Sequence, residues 1–234
     1  MLPLKDDVPS QTTPFITIAL IALNVVVFLY QLSLQISGDA QGGGAIEAFV
    51  LEFGAVPCRL SGLCASAEEF PHPFVTVATS MFVHGGLLHL GGNMLYLWIF
   101  GDNVEDVLGH VRFLLFYLLS GIVAAAVQAA VDPTSTVPMI GASGAVSGVL
   151  GAYLVLFPYA SVLTLVTFVF FFRLVRIPAI VVLGLWFVVQ SFNWLGAVHT
   201  SGGEGGVAWF AHIGGFVAGM ALLLIVRPRR VARL

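Results

Sequence analysis

Long apolar runs without a charge at their centres are the feature that most limits how this chain can fold. A run of about 20 residues, coiled as a helix, crosses the ~30 Å hydrocarbon core of a bilayer. Charged residues make up only 9% of the 234 residues, whereas a soluble domain carries about 25%. This shortage of polar surface excludes a soluble domain, a disordered chain and a nucleic-acid binder.

Six apolar segments are candidate membrane spans: 15–34, 83–101, 113–131, 143–157, 178–196 and 207–226. They predict an all-α, six-helix membrane bundle. At 1.5 Å per residue the fourth segment reaches only about 22 Å, which is too short to span.

The segments between and around these spans are predicted as follows. Residues 36–73 form a long loop at the membrane interface, and 160–172 form a surface or re-entrant stretch. The domain organisation is then a short N-terminus, a membrane domain and a basic tail, over residues 1–13, 14–227 and 228–234.

Positive charges are distributed unevenly between the two sides of the predicted bundle. Six spans place both termini on one side, and that side carries eight of the nine Lys and Arg residues, leaving Arg59 alone on the other. Cytoplasmic loops are rich in Lys and Arg. We therefore expect both termini to be cytoplasmic, in a multi-pass protein of the cell's inner (plasma) membrane.

Three polar clusters lie near the outer ends of the three helices that run inward. They comprise residues 84–93, 141–144 and 211–215. Polar groups inside a membrane are costly, so they usually face a partner or a wet cavity. Three clusters at one depth on different helices therefore predict a single site.

Ser143 and His212 are the candidate nucleophile and base of that site. Taken alone, Ser143 is better explained as a helix cap and His212 as a core histidine. Their shared depth favours a nucleophile and the imidazole that removes its proton. His89 and Asn93, four residues apart on one helical face, can donate to an oxyanion or act as polar contacts between helices.

Other chemistries fit less well. His84 and His89 are five residues apart, which separates them by about 140° on a helix, and no Glu completes an H-E-x-x-H zinc motif. We therefore expect no metal site. No aspartate lies in the middle of a span, so we expect no aspartyl dyad either. We assign His84 to loop packing and Ser147 to a backbone hydrogen bond. Three further histidines are expected to be solvated: His72, His110 and His199.

Glycines repeat on two of the candidate helices. Gly144, Gly148 and Gly151 mark one side of the fourth span, and Gly215 and Gly219 mark the sixth. Small residues four apart allow close backbone approach. If these helices touch, Ser143 and His212 come within hydrogen-bond reach.

Together these motifs resemble the rhomboid family of intramembrane serine proteases. The matching patterns are H-x4-H-x3-N, G-x-S-G and A-H-x-G-G-x3-G, at residues 84–93, 141–144 and 211–219. Phe100-Gly101 followed by Glu105 also resembles the end of the family's second span. The resemblance covers residues 14–227, nearly the whole chain.

The resemblance implies a Ser143–His212 dyad without an aspartate. It also implies an oxyanion hole of His89, Asn93 and the Ser143 amide, with no metal or cofactor. The substrates it implies are transmembrane segments of other membrane proteins, cut near their outer ends. The sequence departs from the family in two places. Arg59 follows Cys58 rather than a tryptophan, and Ser147 replaces an aromatic residue.

Access to a buried serine requires a cavity open to the extracytoplasmic side. We expect the loop 201–206 to roof it, and Trp186 and Phe187 on the fifth span to form a gate through which a substrate helix enters. Cys58 and Cys64 lie in the first loop, where either a disulfide or two free thiols is compatible with the sequence.

Two other functions compete with a protease. A catalytically inactive rhomboid-like protein would bind transmembrane clients, but it has no need of Ser143, His212, His89 and Asn93 together. A small transporter would carry a charged mid-span residue or an internal repeat, and the sequence shows neither.

Overall fold

The computed structural model describes residues 1–39, 44–168, 171–199 and 208–226. The chain is mostly helical. Its six long helices are α1 (Phe15–Asp39), α5 (Leu87–Leu108), α6 (His110–Val131), α7 (Ser143–Leu156), α8 (Ala179–His199) and α9 (Trp209–Val226). Four shorter helices precede α5: α2 (Ala45–Phe53), α3 (Pro57–Leu60), α4 (Pro73–Thr79) and a 3₁₀ turn (Ser80–Phe82).

Three of the described helices, α1, α6 and α9, are long and apolar enough to cross a membrane. A fourth candidate combines residues 73–82 with α5 across a bend of 83°. Residues 179–189 of α8 and the whole of α7 are apolar but shorter. The short α7 agrees with the sequence, whereas the total of six spans and the cytoplasmic termini remain predictions.

The first loop, predicted as a long loop over residues 36–73, contains several short helices. Helix α1 continues to Asp39, and α2, α3 and α4 occupy most of residues 45–79. Cys58 and Cys64 form a disulfide. The loop also pairs with the segment before α7, because Ala55 and Met139 exchange backbone hydrogen bonds of 3.0 and 2.8 Å. It therefore supports one wall of the candidate site.

A three-stranded antiparallel sheet corrects the expectation of an all-α chain. Strands β1 (Leu2–Lys5), β2 (Ser161–Phe168) and β3 (Phe171–Pro178) are ordered β1-β2-β3. Residues 161–168 and 171–172 of the stretch 160–172 are strand and not a re-entrant segment, because β2 and β3 pair as a hairpin. The β-branched residues of this stretch favour a strand, and Val162 and Thr164 turn the same face of β2 into the core.

Helices α7 and α9 approach each other through their glycines, an approach that the glycine spacing allows. A Cβ added at Gly215 would clash with the Gly144 carbonyl oxygen, and one at Gly219 would lie 2.5 Å from both Cα and the carbonyl carbon of Gly148. No side chain fits at either position. This close contact brings the N-terminal ends of α7 and α9 together.

Glu105, fully buried near the end of α5, fastens the start of α1. Its carboxylate accepts hydrogen bonds from the Ile16 amide (2.9 Å) and from the Thr17 amide and hydroxyl (2.8 and 2.7 Å). The first amides of a helix have no partner within it, so Glu105 acts as a tertiary cap. His110 Nδ1 lies 2.5 Å from the same carboxylate, and its side chain is 41% exposed, so the histidine predicted to be solvated also pairs with Glu105.

The N-terminal residues are fastened to α7 and to the hairpin. The Tyr153 hydroxyl donates to the buried Asp6 carboxylate, and the Ser161 amide donates to Asp7 at 2.7 Å. Burial raises the pKa of Asp6 above its ordinary 3.8. Residues 1–13 are therefore an integral part of the fold.

Candidate active site

Ser143 is the first residue of α7, and the turn before it depends on glycine. Gly141 has a φ of +112°, a conformation that side chains disfavour, and a Cβ there would meet His89 Nε2 at 2.6 Å. The Gly141 amide donates to the Ser80 carbonyl oxygen at 2.9 Å. This turn aims the start of α7, including Ser143, into the space between α5 and α9.

The Ser143 hydroxyl and the His212 imidazole meet in that space. Oγ of Ser143 lies 2.8 Å from Nε2 of His212, although the two residues are 69 apart in sequence. His212 is only 9% exposed. The ring of Trp186 is tilted against the imidazole and that of Trp209 is perpendicular to it, each with its centroid 6.1 Å from that of the imidazole.

Ser147, one turn after Ser143, donates to the Ser143 carbonyl oxygen at 2.6 Å. The predicted backbone hydrogen bond is therefore confirmed. Aromatic contact with His212 comes instead from Trp186 and Trp209.

His84 corrects a prediction, because it belongs to the site and not to loop packing. It precedes α5, so the helical rotation of 140° between His84 and His89 does not apply, and their rings meet edge to face at 5.1 Å. Its Nδ1 faces the Phe82 carbonyl oxygen at 3.3 Å, while Asn93 Nδ2 lies 3.0 Å from Nε2. A single tautomer, protonated on Nδ1, satisfies both contacts and orients the Asn93 amide.

Gln31 of α1 forms hydrogen bonds with both backbone polar groups of His84. Its amide nitrogen donates to the His84 carbonyl oxygen at 2.9 Å, and its carbonyl oxygen accepts from the His84 amide at 3.0 Å. The Ala142 amide lies 3.5 Å from His84 Nε2, which links this group to the turn before Ser143.

The polar groups of the candidate site line a cavity of about 660 Å³. Ser143, His212, His89 and Asn93 all line it, together with Gln128. Apolar residues complete the lining, among them Tyr96, Val137, Met139, Ile140, Val146 and Leu150. The structure thus gathers all four predicted side chains around one cavity.

The two predicted gate residues differ in position. Trp186 lines the cavity, whereas the Phe187 ring packs on Phe216 of α9 at 4.9 Å between centroids. The predicted roof loop, residues 201–206, and the basic tail, residues 228–234, lie outside the described residues.

Two polar residues of the site are not predicted from the sequence. They are Gln31 and Gln128. Gln128 Oε1 accepts hydrogen bonds from the Phe210 and Ala211 amides at 3.1 and 3.3 Å. An uncharged amide inside an apolar run is the signal that was available, because such a group needs a partner in the membrane. Within the described part of the chain, no group of three or more His, Cys, Asp or Glu side chains could hold a metal ion.

Comparison with known proteins points to one family. A family model described as the rhomboid domain matches residues 71–229, which is 159 of 234 residues. The rhomboid protease GluP of Bacillus subtilis (strain 168) is 32% identical over 213 residues, 89% of this chain and 35% of that protein. Rhomboid protein 1, mitochondrial, of Saccharomyces cerevisiae is 36% identical over 96 residues, 39% of this chain and 28% of that protein.

A more distant relative is the rhomboid protease AarA of Providencia stuartii. It is 29% identical over 150 residues, 58% of this chain and 49% of that protein. The chain thus spans less than half the length of each of these three relatives. Since the family model covers more than half of this chain, and several helices are apolar enough to span a bilayer, the protein is a multi-pass membrane protein of the rhomboid family.

Proposed function

We propose that this protein is a serine endopeptidase that hydrolyses peptide bonds in or near transmembrane segments of other membrane proteins. The observation that carries the proposal is the 2.8 Å contact between Ser143 Oγ and His212 Nε2 on the wall of a cavity shared with His89 and Asn93. The names of the relatives GluP and AarA support the same class of activity. The membrane domain over residues 14–227 contains all of these groups.

In the first step, Ser143 attacks the carbonyl carbon of the scissile peptide. Serine is a weak nucleophile until a base takes its proton, and neutral imidazole does so near pH 7. His212 Nε2 removes the Oγ proton and then gives it to the leaving amine. Water, activated by the same imidazole, hydrolyses the acyl-enzyme and regenerates Ser143.

Negative charge develops on the carbonyl oxygen during the attack. The Asn93 amide, the His89 imidazole and the backbone N–H of Ser143 are the donors we assign to it. Asn93 uses one of its two N–H groups on His84 Nε2, so the second stays available to the oxyanion. Donors held in place before reaction need no reorganisation when charge appears.

The site is proposed to open toward the extracytoplasmic side of the cell membrane. The uneven distribution of Lys and Arg supports this orientation, and the bilayer and its embedded substrates are the expected partners. A non-helical turn at the depth of Gly141 is tolerated when it lines a wet cavity, and Ile140 and Ser143, on either side of Gly141, line the cavity. Neither a metal nor a cofactor takes part in the proposed steps.

The experiment is cleavage of a model single-span protein by the purified protein in detergent and in liposomes. Wild type is expected to cut it, and Ser143→Ala and His212→Ala to be inactive while remaining folded. Nucleophile and base act as a unit, so the double variant is expected to be no worse than either single one. Full activity in either single variant contradicts the dyad. Binding of the substrate without cleavage by wild type would instead support an inactive, client-binding protein.

Entry of the substrate helix is proposed to take place past α8. Replacing Trp186 and Phe187 together by alanine is expected to speed cleavage of the transmembrane substrate and hardly to change hydrolysis of a short soluble ester. Because Trp186 touches His212, Phe187→Ala alone is the cleaner variant. An equal response of both substrates would show that these rings are ordinary packing.

A further inference from the structure

Gln128, near the end of α6, makes the contacts on which this inference rests. Its side-chain carbonyl oxygen accepts from the amides of Phe210 and Ala211, the two residues that precede His212. Gln128 also lines the cavity that contains Ser143. It is therefore the α6 side chain that joins the wall of the cavity to the first turn of α9.

Ala208, the described residue just before α9, offers no side-chain cap to the first turn of the helix. Helix α9 begins at Trp209, after Ala208, and alanine has no oxygen with which to cap the amides at the start of a helix. The Ala211 amide also donates to the Ala208 carbonyl oxygen at 3.0 Å. Gln128 therefore supplies, from another helix, a side-chain acceptor for two of these amides.

Glycine contacts fix α9 farther along the helix. The glycine contacts with α7 are at Gly215 and Gly219, and Gly214 packs against Val127. These positions are two to seven residues beyond His212. Gln128 thus holds the first turn of α9, which carries the His212 imidazole, and the glycines hold the turns that follow.

We propose that Gln128 is a positioning residue for His212. By holding the first turn of α9 it keeps Nε2 of His212 in register with Oγ of Ser143, and it takes no proton itself. This inference rests on the proposed protease function. A displacement of about 1 Å at a catalytic group can cost a hundredfold in rate, so loss of the cap acts on the chemical step.

The test compares Gln128→Met, Gln128→Glu and Val127→Ala. Methionine keeps the length of the side chain but not the oxygen, and glutamate keeps an acceptor oxygen and adds a negative charge favourable at a helix N-terminus. Val127→Ala removes packing between the same two helices without touching the cap. Each variant is assayed for kcat and KM on a single-span substrate and for the rate at which a fluorophosphonate probe labels Ser143.

Gln128→Met is expected to lower kcat and the labelling rate by about tenfold to a hundredfold with little change in KM. Gln128→Glu is expected to recover most of both rates, and Val127→Ala to leave them near wild type. Thermal unfolding identifies any variant that fails to fold, in which case Gln128→Leu replaces Gln128→Met.

Three results would overturn the inference. They are wild-type rates in Gln128→Met, a rise in KM alone, which would make Gln128 a substrate contact, and an equal loss in Val127→Ala. Failure of the protease proposal looks different, because wild type would then neither cleave the substrate nor react with the probe faster than Ser143→Ala.

Discussion

Gly219→Ala tests whether the close contact of α7 and α9 sets the geometry of Ser143 and His212. A Cβ at Gly219 would lie 2.5 Å from Cα and the carbonyl carbon of Gly148, whereas ordinary contact begins at 3.4 Å. Both atoms are backbone, so no side-chain rotation relieves the clash. The helices must separate by about 0.9 Å or more, because packed interiors leave little room to absorb an added atom.

The consequence for the site follows from the stiffness of a helix. His212 lies seven residues before Gly219, about 10 Å along α9. If α9 moves as a rigid body, the same separation appears at His212. The distance from Ser143 Oγ to His212 Nε2 then grows from 2.8 Å to about 3.7 Å, which is too long for a hydrogen bond. A misplacement of this size is expected to lower kcat by about a hundredfold, and overpacking to destabilise the fold by about 1–3 kcal/mol.

The assay is cleavage of a single-span substrate, with fluorophosphonate labelling of Ser143 and thermal unfolding measured in the same detergent. Gly91→Ala is the matched control, because α5 also presents a helical glycine there and nothing lies within 4 Å of the added Cβ. It is expected to keep full activity and to be neutral or slightly stabilising. A full rate in Gly219→Ala would refute the idea that this contact sets the Ser143–His212 distance.

Three further predictions follow from single residues. Asn93→Ala is expected to lower kcat by about 10²–10³, and an unchanged kcat would leave Asn93 as an interhelical contact only. Glu105→Gln is expected to lower the free energy of unfolding by about 2 kcal/mol, because the carboxylate caps α1; unfolding by heat or denaturant measures this, and an unchanged stability would contradict the cap. The pKa of Asp6 is raised in the folded state by burial, so the folded protein holds this proton more tightly and stability falls as pH rises from 3.8 through the raised value. Asp6→Asn is expected to remove that part of the pH dependence of unfolding, and an identical profile would contradict it.

The sequence by itself determined the class of protein and the principal residues of the candidate site. Apolar runs free of charge specify membrane helices whatever their neighbours are, because the cost of burying a charge in lipid is local. Counting positions along those runs placed Ser143, His212, His89 and Asn93 at one depth. The glycine repeats likewise indicated that α7 and α9 can approach closely, since a missing side chain is a local property.

Only the tertiary structure decided how those residues are held. The partner of the His84 main chain is Gln31, 53 residues away, and the partner of the α9 amides is Gln128 on α6, 82 and 83 residues away. Such hydrogen bonds join distant segments, so no periodicity within a window of sequence records them. The same holds for the sheet, in which β1 pairs with β2 across more than 150 residues. Local sequence specified which groups are polar and buried, and the packing of distant helices determined which of them meet.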